Sequence, residues 1–409
     1  MSTTLAAPPV KISLQLTAAV RSALAMLLRL PRPKKNFFQA RIARRSSATH
    51  ITVISSDVQP MTLTVRHTTQ ALPDADVWID DAADLRHWLS RSDTSPHLMS
   101  FHEDGRLAIQ ILGKYSQPTV KTTPKMVVSK QGLDALYQPQ TLFPDPPPLR
   151  LEAKWALENL ILPHQPFQST DETRYVICGT FLKIAADRQL TAVSTNGRVL
   201  LKSTWTVHAG CCPDEGEFIM PSETWSSVSR LLPLCSSMAI VPPCKANSNH
   251  GTVHLHGQGW NIQLRFRAIG GDYPNYNQVI PRQHNLRYHT QITDLDATRK
   301  MIPKLARTDG STAIALAGTE LYLVGPDAAA LYPIGTILPT PCPPISDVDP
   351  LIYRYQAQYL LACLRHGSDL HLCDASIGYG PLLVTSPSHT TVAMPLTTAQ
   401  QHNAKRTAN

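Results

Sequence analysis

The sequence lacks the short motifs that identify common catalytic sites. Its 409 residues contain no Gly-x-x-x-x-Gly-Lys-Ser/Thr loop, no Gly-x-Ser-x-Gly turn and no His-Glu-x-x-His pair. These motifs place a phosphate cradle, a serine nucleophile and a zinc site respectively. Their absence gives no support to a loader-type ATPase or a common hydrolase, and we predict no enzyme activity, no catalytic residue and no cofactor.

Cysteine is sparse and irregularly spaced. There are eight cysteines, none in a Cys-x-x-Cys pair, and Cys211 is directly followed by Cys212. Adjacent cysteines suit neither a tetrahedral metal site nor an unstrained disulfide. We therefore predict scattered reduced thiols rather than a disulfide framework.

Long apolar runs are also missing. A bilayer span needs about 20 apolar residues, and the best candidate, residues 14–30, is interrupted by Arg21 and Arg29. The same segment has no signal-peptide cleavage pattern. The sequence thus predicts a soluble, cytoplasmic protein that does not bind membranes.

The overall composition is that of a basic globular protein. Apolar residues make up 43% of the chain, and 38 Lys and Arg outweigh 30 Asp and Glu for a net charge of +8. At about 100–200 residues per domain, the length predicts two to four domains. The excess of positive charge favours a polyanionic partner.

One pattern of predicted elements recurs three times along the chain. A proline-rich break near residues 143–148 and a second break at residues 281–285 divide it into residues 1–147, 148–282 and 283–409. Each part reads as a strand and amphipathic helix, a hairpin, a second strand and helix, and a final hairpin. This predicts three α+β domains with helices on one face of a mostly antiparallel sheet. Pro303 should kink or shorten the helix that opens the third part.

Several sequence segments resemble the bacterial sliding-clamp family, the beta subunit of DNA polymerase III. Residues 174–180 (RYVICGT) and 192–200 (AVSTNGRVL) resemble the middle domain of those clamps. Residues 271–281 (GDYPNYNQVIP) resemble the junction that follows it, and residues 392–396 (VAMPL) resemble the end of the family sequence. The resemblance covers nearly the whole chain.

The resemblance implies three repeated clamp domains, with helices lining the inside of a ring and antiparallel sheets outside. It implies a non-catalytic processivity factor that closes head to tail as a homodimer around double-stranded DNA. Its implied partners are a DNA polymerase and clamp-loader subunits, which would bind through short peptides. The mating edges would be the strand with Leu107, Ile109 and Ile111 and the region 305–314.

The resemblance also implies a groove for those peptides. Its residues, carried over from the matching motifs, are Ile177, Thr195, Gly197, Arg198, Val199, Leu200, Pro274, Val279, Val392, Met394 and Pro395. Read without the resemblance, Ile177 and Val392 are ordinary core residues of strands.

Basic residues on the predicted helices form the candidate DNA surface. A ring that slides must attract phosphates without reading bases. The candidates are Arg21, Arg29, Arg32, Lys34, Lys35, Arg86, Lys154, Arg230, Arg299, Lys300, Lys304 and Arg307. The alternative is that they are ordinary solvated helix faces.

The sequence departs from the family at the groove. The family pattern Asp-Gly-His-Arg-Leu is here Asn196, Gly197, Arg198, Val199 and Leu200, and the chain is basic where bacterial clamps are usually acidic. The second hypothesis is therefore a divergent clamp-fold decoy or regulator from a mobile element, which binds clamp partners without supporting replication.

Two polar clusters suggest other chemistry more weakly. His250, His254 and His256 resemble a metal site, but no Cys or carboxylate is grouped with them at ligand spacing, and they suit a surface strand. Asp80, Asp81 and Asp84 suggest nuclease chemistry, but acids just after a strand also cap a helix. We therefore predict no metal site.

Overall fold

A computed structural model describes most of the chain. The described residues are 10–29, 38–45, 48–55, 58–66, 75–79, 97–102, 107–111, 121–122, 148–208, 215–243, 249–282, 286–326, 330–338, 351–373 and 380–396. The chain forms two compact units. One comprises residues 1–161, 208–214 and 223–268, and the other comprises residues 162–207, 215–222 and 269–409. The division into three repeats stays a prediction.

The first unit begins with a strand and an amphipathic helix, as the sequence predicts. Strand β1 (Val10–Leu16) leads into helix α1 (Ala18–Arg29). Thr17 caps the helix, because its Oγ1 accepts a hydrogen bond from the N–H of Val20 at 3.3 Å. Val20, Leu24 and Leu27 recur at helical spacing and are buried.

The strands of the first unit form two antiparallel sheets. The smaller sheet has the order β1-β6-β7-β8 and the larger has the order β5-β2-β3-β4-β16-β15-β14-β9. The strands are β2 (Phe38–Arg45), β3 (Ala48–Ser55), β4 (Val58–Arg66), β5 (Ala75–Ile79), β6 (His97–His102), β7 (Leu107–Ile111), β8 (Lys121–Thr122), β9 (Leu149–Glu152), β14 (Ser237–Val241), β15 (His250–Gly257) and β16 (Trp260–Arg267). Strand β4 joins the two halves of the large sheet by pairing with β16, where Leu63 lies opposite Ile262.

A helical segment follows β9 and contains an unusual turn. It runs as α2 (Ala153–Trp155), a π-helix (Ala156–Ile161) and α3 (Leu162–His164). The carboxylate of Glu152 caps its start by accepting hydrogen bonds from the N–H groups of Lys154 and Trp155, both at 3.1 Å. Helix α4 (Ser222–Leu231) buries Trp225, Val228 and Leu231 on its apolar side.

The second unit contains a twelve-stranded antiparallel sheet. Its order is β13-β10-β11-β12-β24-β23-β22-β17-β20-β19-β18-β21. The strands are β10 (Gly179–Ile184), β11 (Gln189–Thr195), β12 (Val199–Thr206), β13 (Gly216–Pro221), β17 (Leu286–Ile292), β18 (Ser311–Ala317), β19 (Glu320–Val324), β20 (Leu331–Ile337), β21 (Leu351–Gln356), β22 (Asp369–Cys373), β23 (Leu382–Thr385) and β24 (His389–Ala393).

Helices α5 (Leu295–Leu305) and α6 (Ala357–Leu364) belong to this unit. The side chain of Asp294 caps α5 by accepting from the N–H of Ala297 at 2.9 Å. The helix continues two residues past Pro303, so the proline lies close to the end of the helix. A core that includes Ile302 from α5 and Leu360 from α6 covers one face of the sheet.

Pairing of β12 with β24 forms a seam between distant parts of the chain. Leu200 lies opposite Val392, and Val199 lies opposite Ala393. Alternation along β12 sends Val199 and Leu201 into the core beneath the helices and Leu200 to the opposite face. The seam therefore supports two separate sites, one on each face of the sheet.

The α+β fold class is confirmed, with one difference in the strand pattern. Where the sequence predicts hairpins, the second and third parts have three-stranded meanders, such as β10, β11 and β12. The extra strand β10 is not predicted from the sequence, because its residues, GTFLKI, do not alternate clearly between polar and apolar. The second helix of the first part, which the sequence predicts over residues 84–91, lies outside the described residues.

No helix within the described ranges is both long enough and apolar enough to cross a membrane.

Candidate functional site

The second unit carries a cleft on the face of the sheet opposite the helices. Its volume is about 220 Å³. The lining residues are Arg174, Ile177, Thr195, Gly197, Arg198, Val199, Leu200, Pro274, Asn275, Tyr276, Val279, Val392 and Met394. They come from four chain segments that meet at the β12–β24 seam.

The floor of the cleft is aliphatic and the rim is partly exposed. Ile177, Leu200 and Val392 are each 2% exposed, so they form a buried apolar base. Val279 is 46% exposed and Met394 42% exposed at the rim. Exposed apolar side chains above an apolar floor are typical of a surface that receives an inserted side chain.

A tight turn before β12 shapes one side of the cleft. The side-chain oxygen of Asn196 accepts hydrogen bonds from the N–H groups of Arg198 at 2.9 Å and Val199 at 3.1 Å. The hydroxyl of Thr195 accepts from the N–H of Gly197 at 3.0 Å and donates to the carbonyl of Val199 at 2.8 Å. The turn needs a left-handed residue, and Gly197 supplies it with a φ of 86°.

Arg174 lies against this turn. Its Nη1 donates to the carbonyl of Asn196 at 3.2 Å, and a Cβ at position 197 would collide with its guanidinium group. Glycine at 197 therefore serves two purposes, the left-handed backbone and the close approach of an arginine.

The segment 274–279 forms another side of the cleft and is held by aromatic contacts. The ring of Phe181 stacks on Tyr273, with centroids 5.2 Å apart, and lies 6.2 Å from Tyr276. The ammonium of Lys202 lies 5.6 Å from the centroid of Tyr276. Burial raises the pKa of Tyr273, so this ring stays a neutral phenol.

The structure brings together ten of the eleven residues predicted for the groove. The exception is Pro395, which follows Met394 but does not line the cleft. Sequence reasoning missed Arg174, Asn275 and Tyr276 as lining residues, although all three lie within segments that resemble the family. Whether the cleft binds peptides stays a prediction.

A buried histidine cluster lies on the other face of the same seam. The ring of His164 shares hydrogen bonds with Ser194 at 3.1 Å and Ser203 at 3.0 Å, and Ser203 also bonds His389 at 2.8 Å. The ring of His366 lies 4.9 Å from His389. The cluster therefore connects β11, β12 and β24 from behind the cleft.

The three histidines are held neutral. Burial, and then the neighbouring His366 and His389, set the pKa of His164 well below its usual value. Burial lowers the pKa of His366 to about 4, helped by His389, Arg365 and Arg299, and burial also lowers the pKa of His389.

The predicted DNA-binding residues differ in their surroundings. Exposed cations are Lys154, Arg230, Lys300 and Lys304, while Arg307 is half-buried. Arg299 uses its Nε to donate to the carbonyl of Leu364 at 3.1 Å and its Nη1 to pair with Asp296 at 3.0 Å. Arg29 is the last residue of α1. Arg32, Lys34, Lys35 and Arg86 lie outside the described residues.

Arg21 has a different environment from the exposed cations. It is 6% exposed, and its Nη1 has no hydrogen-bond partner among the described residues. A guanidinium buried in this way cannot reach a phosphate without a rearrangement of α1, unlike the exposed cations of the other helices.

Neither alternative cluster gains support from the described part of the chain. The rings of His254 and His256 stack 6.4 Å apart on β15. Within the described residues, no three His, Cys, Asp or Glu side chains come together in a way that could hold a metal. Asp80, Asp81 and Asp84 lie outside those residues.

Comparison with known proteins gives a consistent result. No family model matches the sequence. The beta sliding clamp of Synechococcus elongatus is 28% identical over 145 residues, which is 34% of this chain and 35% of the cyanobacterial protein. The sequence match thus spans about a third of that curated relative.

Solved structures match over much more of the chain. DNA polymerase III subunit beta of Borrelia burgdorferi has a TM-score of 0.69 at 14% identity, covering 95% of this chain and 99% of that one. The DNA polymerase III beta chain of Streptococcus pneumoniae has a TM-score of 0.70 at 13% identity, and the match covers 95% of this chain and 100% of that one. The chain therefore has the fold of the bacterial sliding clamps, as the sequence motifs predicted, and about a third of its sequence is similar to one of them.

Proposed function

We propose that the protein is a sliding clamp, a non-catalytic processivity factor that encircles duplex DNA as a head-to-tail homodimer. The observation that carries the proposal is the cleft. Ten residues that the family motifs assign to a partner groove line one apolar cleft in a chain with the clamp fold. A processivity factor needs such a groove, because its role is to tether other proteins.

Tethering would act through local concentration. A partner held by one apolar anchor in the cleft stays near the primer end after each dissociation, and its effective concentration there rises to about the millimolar range for a short flexible link. The buried aliphatic floor and the exposed rim at Val279 and Met394 suit such an anchor.

The DNA surface would be electrostatic. Lys154 and Arg230 in the first unit and Lys300 and Lys304 in the second are exposed helix residues without an ion pair among the described residues. Such cations attract phosphates without reading bases, as sliding requires. Partners would be the replicative polymerase and clamp-loader subunits.

A second candidate is a clamp-fold decoy or regulator that binds clamp partners without supporting replication. It is favoured by the changed turn, where Arg198 and Val199 replace the family's His and Arg, and by the net charge of +8. Both candidates predict peptide binding, and they differ in whether the protein stays on DNA and serves the polymerase.

The first experiment combines solution mass with polymerase binding. A sliding clamp should have a mass of twice 45.1 kDa and should bind the replicative polymerase of its own organism. Val279→Asp should abolish that binding while the mass is unchanged. A monomer, or a dimer that does not bind the polymerase, would contradict the clamp proposal.

A further inference from the structure

The large sheet of the first unit has an unusual charge composition. Its strands β2, β3, β4, β14, β15 and β16 contain no aspartate or glutamate. The sheet of the second unit, by contrast, carries Glu217, Glu320 and Asp369 on its strands. We propose that the polar face of the acid-free sheet binds single-stranded nucleic acid, with arginines for the phosphates and two histidine rings for a base. None of the residues of this face lines the cleft.

Alternation along the strands gives this sheet one polar face. Every second residue of β15 and β16 is buried, from Gly251 to Leu255 and from Trp260 to Phe266. Because successive side chains of a strand point to opposite faces, the intervening residues share the face away from the core. They are all half-buried or exposed, and they are His250, Thr252, His254, His256, Asn261, Gln263, Arg265 and Arg267.

Three arginines supply the positive charge of this face. Arg150 on β9 and Arg267 are exposed, and Arg265 is half-buried. None of the three forms an ion pair with a residue that the structure describes. The acid on β9, Glu152, is occupied at the start of a helix, where its carboxylate accepts two backbone N–H groups at 3.1 Å. The arginines are therefore available to contact phosphates.

A trough of small side chains lies between Arg150 and the histidines of β15. Ala239 on β14 lies opposite Arg150 on one side and opposite His254 on the other. Ser237 lies opposite His256 in the same way. Neighbouring strands are about 4.8 Å apart, so the backbones of Arg150 and His254 are about 10 Å apart across β14. The small side chains leave room for a chain that lies between the arginine and the rings.

The two histidine rings form the wall of the trough that suits a base. The rings of His254 and His256 are within 12° of parallel, and their centroids are 6.4 Å apart. This separation is close to twice the rise of about 3.4 Å between stacked nucleotides, so a planar base between the rings would stack on both after a small side-chain rotation. Gln263 lies opposite His254, and Asn261 lies opposite His256. Their amides offer both donors and acceptors to the edge of that base.

Parallel rings beside free cations favour a single strand as the occupant. In a duplex the bases already stack on one another, and extruding one costs free energy. An acidic peptide would satisfy the arginines but would have no planar group for the slot between the rings. A single strand supplies phosphates and unstacked bases together, which is the combination that binding surfaces for single strands use.

The test measures fluorescence anisotropy of labelled strands with the full chain. The probes, each about 16 nucleotides long, are an oligothymidylate, an abasic strand and a duplex. The variants are Arg265→Gln with Arg267→Gln, His254→Ala and His254→Phe, each checked for an unchanged melting temperature. The matched control is Lys300→Gln with Lys304→Gln, which removes the same charge from exposed positions on α5.

We expect the oligothymidylate to bind at least about fivefold more tightly than the abasic strand, as one stacked base allows. The double arginine variant should reduce its slope of log affinity against log salt by about 1.4, at about 0.7 for each phosphate, and should leave duplex binding unchanged. His254→Ala should remove the preference for bases, and His254→Phe, which keeps a ring, should preserve it. The lysine control should bind the oligothymidylate normally.

Several results would overturn the inference in distinguishable ways. Equal binding of the oligothymidylate and the abasic strand would show that the face takes no base. An equal loss in the lysine control would reduce the binding to overall charge. An equal loss of duplex binding in the double arginine variant would make the face a duplex surface. None of these results would contradict the clamp proposal, because retention on circular DNA depends on ring closure.

Discussion

The N–H of Met394 donates to the carbonyl of Arg198 across 2.8 Å, which ties the end of the last strand to the turn before β12. The two residues line the same cleft from opposite sides of the seam. The site is therefore a product of tertiary structure, and it exists only when β24 is paired with β12. Any change that frees the last strand should remove peptide binding before it unfolds the rest of the second unit.

Substitution at the rim should separate binding from folding. Val279→Asp places a carboxylate at a half-exposed apolar position, where an inserted anchor would bury it at a cost. We expect peptide affinity to fall at least about tenfold, which corresponds to about 1.4 kcal/mol. The melting temperature should be unchanged. Leu331→Asp, at a similarly exposed apolar residue on β20, is the control and should bind normally.

Gly197 should be more sensitive to alanine than a glycine with the same backbone and free space. Gly259 also has a positive φ, 77°, but a Cβ there meets nothing within 4 Å. Gly259→Ala should lower the free energy of unfolding by about 1 kcal/mol for the left-handed backbone alone. Gly197→Ala should cost about 1 kcal/mol more, because it displaces Arg174 from Asn196.

Peptide affinity gives a second measurement for Gly197→Ala. Gly197→Ala should weaken binding, whereas Gly259→Ala should not. If the two variants lose equal stability in urea and bind peptide equally well, the interaction between Arg174 and the turn has no structural role.

The histidine cluster predicts a loss of stability in mild acid. His164, His366 and His389 have folded pKa values below the ordinary value, so the unfolded chain binds more protons between about pH 6.5 and pH 4. The stabilisation is complete above about pH 6.5 and falls as the pH drops. Each histidine contributes a slope of at most about 1.4 kcal/mol per pH unit.

Urea titrations at several pH values check this prediction. His366→Phe should flatten the dependence, because the Nε2 of His366 is buried with no hydrogen-bond partner among the described residues and its neighbour Phe167 is apolar. A stability that does not change between pH 7 and pH 5 would show that the cluster takes up protons freely in the folded state.

Exposed lysines on α5 should contribute to DNA affinity without specificity. Lys300→Gln with Lys304→Gln should reduce the slope of log affinity against log salt by about 1.8, at about 0.9 for each phosphate that is no longer neutralised. Sequence preference should not change. Lys183→Gln, where the lysine pairs with Glu217 at 3.7 Å on neighbouring strands, is the control. An unchanged slope in the double variant would place the DNA elsewhere.

Much of this site could be predicted from the sequence, but only through the family resemblance. Ile177, Thr195, Gly197 and Leu200 lie in short motifs that match the family, and the structure brings them together with Val392. The pairing of Leu200 with Val392 could not be derived from periodicity, because both read as ordinary strand residues. Only the family resemblance joined these distant segments.

Other features could not be read from the sequence for physical reasons. The histidine cluster joins residues separated by about half the chain, and no spacing rule connects His164 to His389. Burial of Arg21 depends on what packs on α1, which amphipathic periodicity does not specify. Strand β10 was missed because it lacks clear polar alternation, since both of its faces are partly covered.

Retention on DNA of different topology tests the clamp proposal without relying on any single residue. The protein, loaded on nicked circular DNA, is challenged with about 1 M salt, at which the Debye length is about 3 Å and phosphate contacts are weak. We expect a dimer of twice 45.1 kDa to stay on circles and to leave when the same DNA is linearised. Equal loss from circles and linear DNA would contradict topological tethering and would leave a clamp fold with another use.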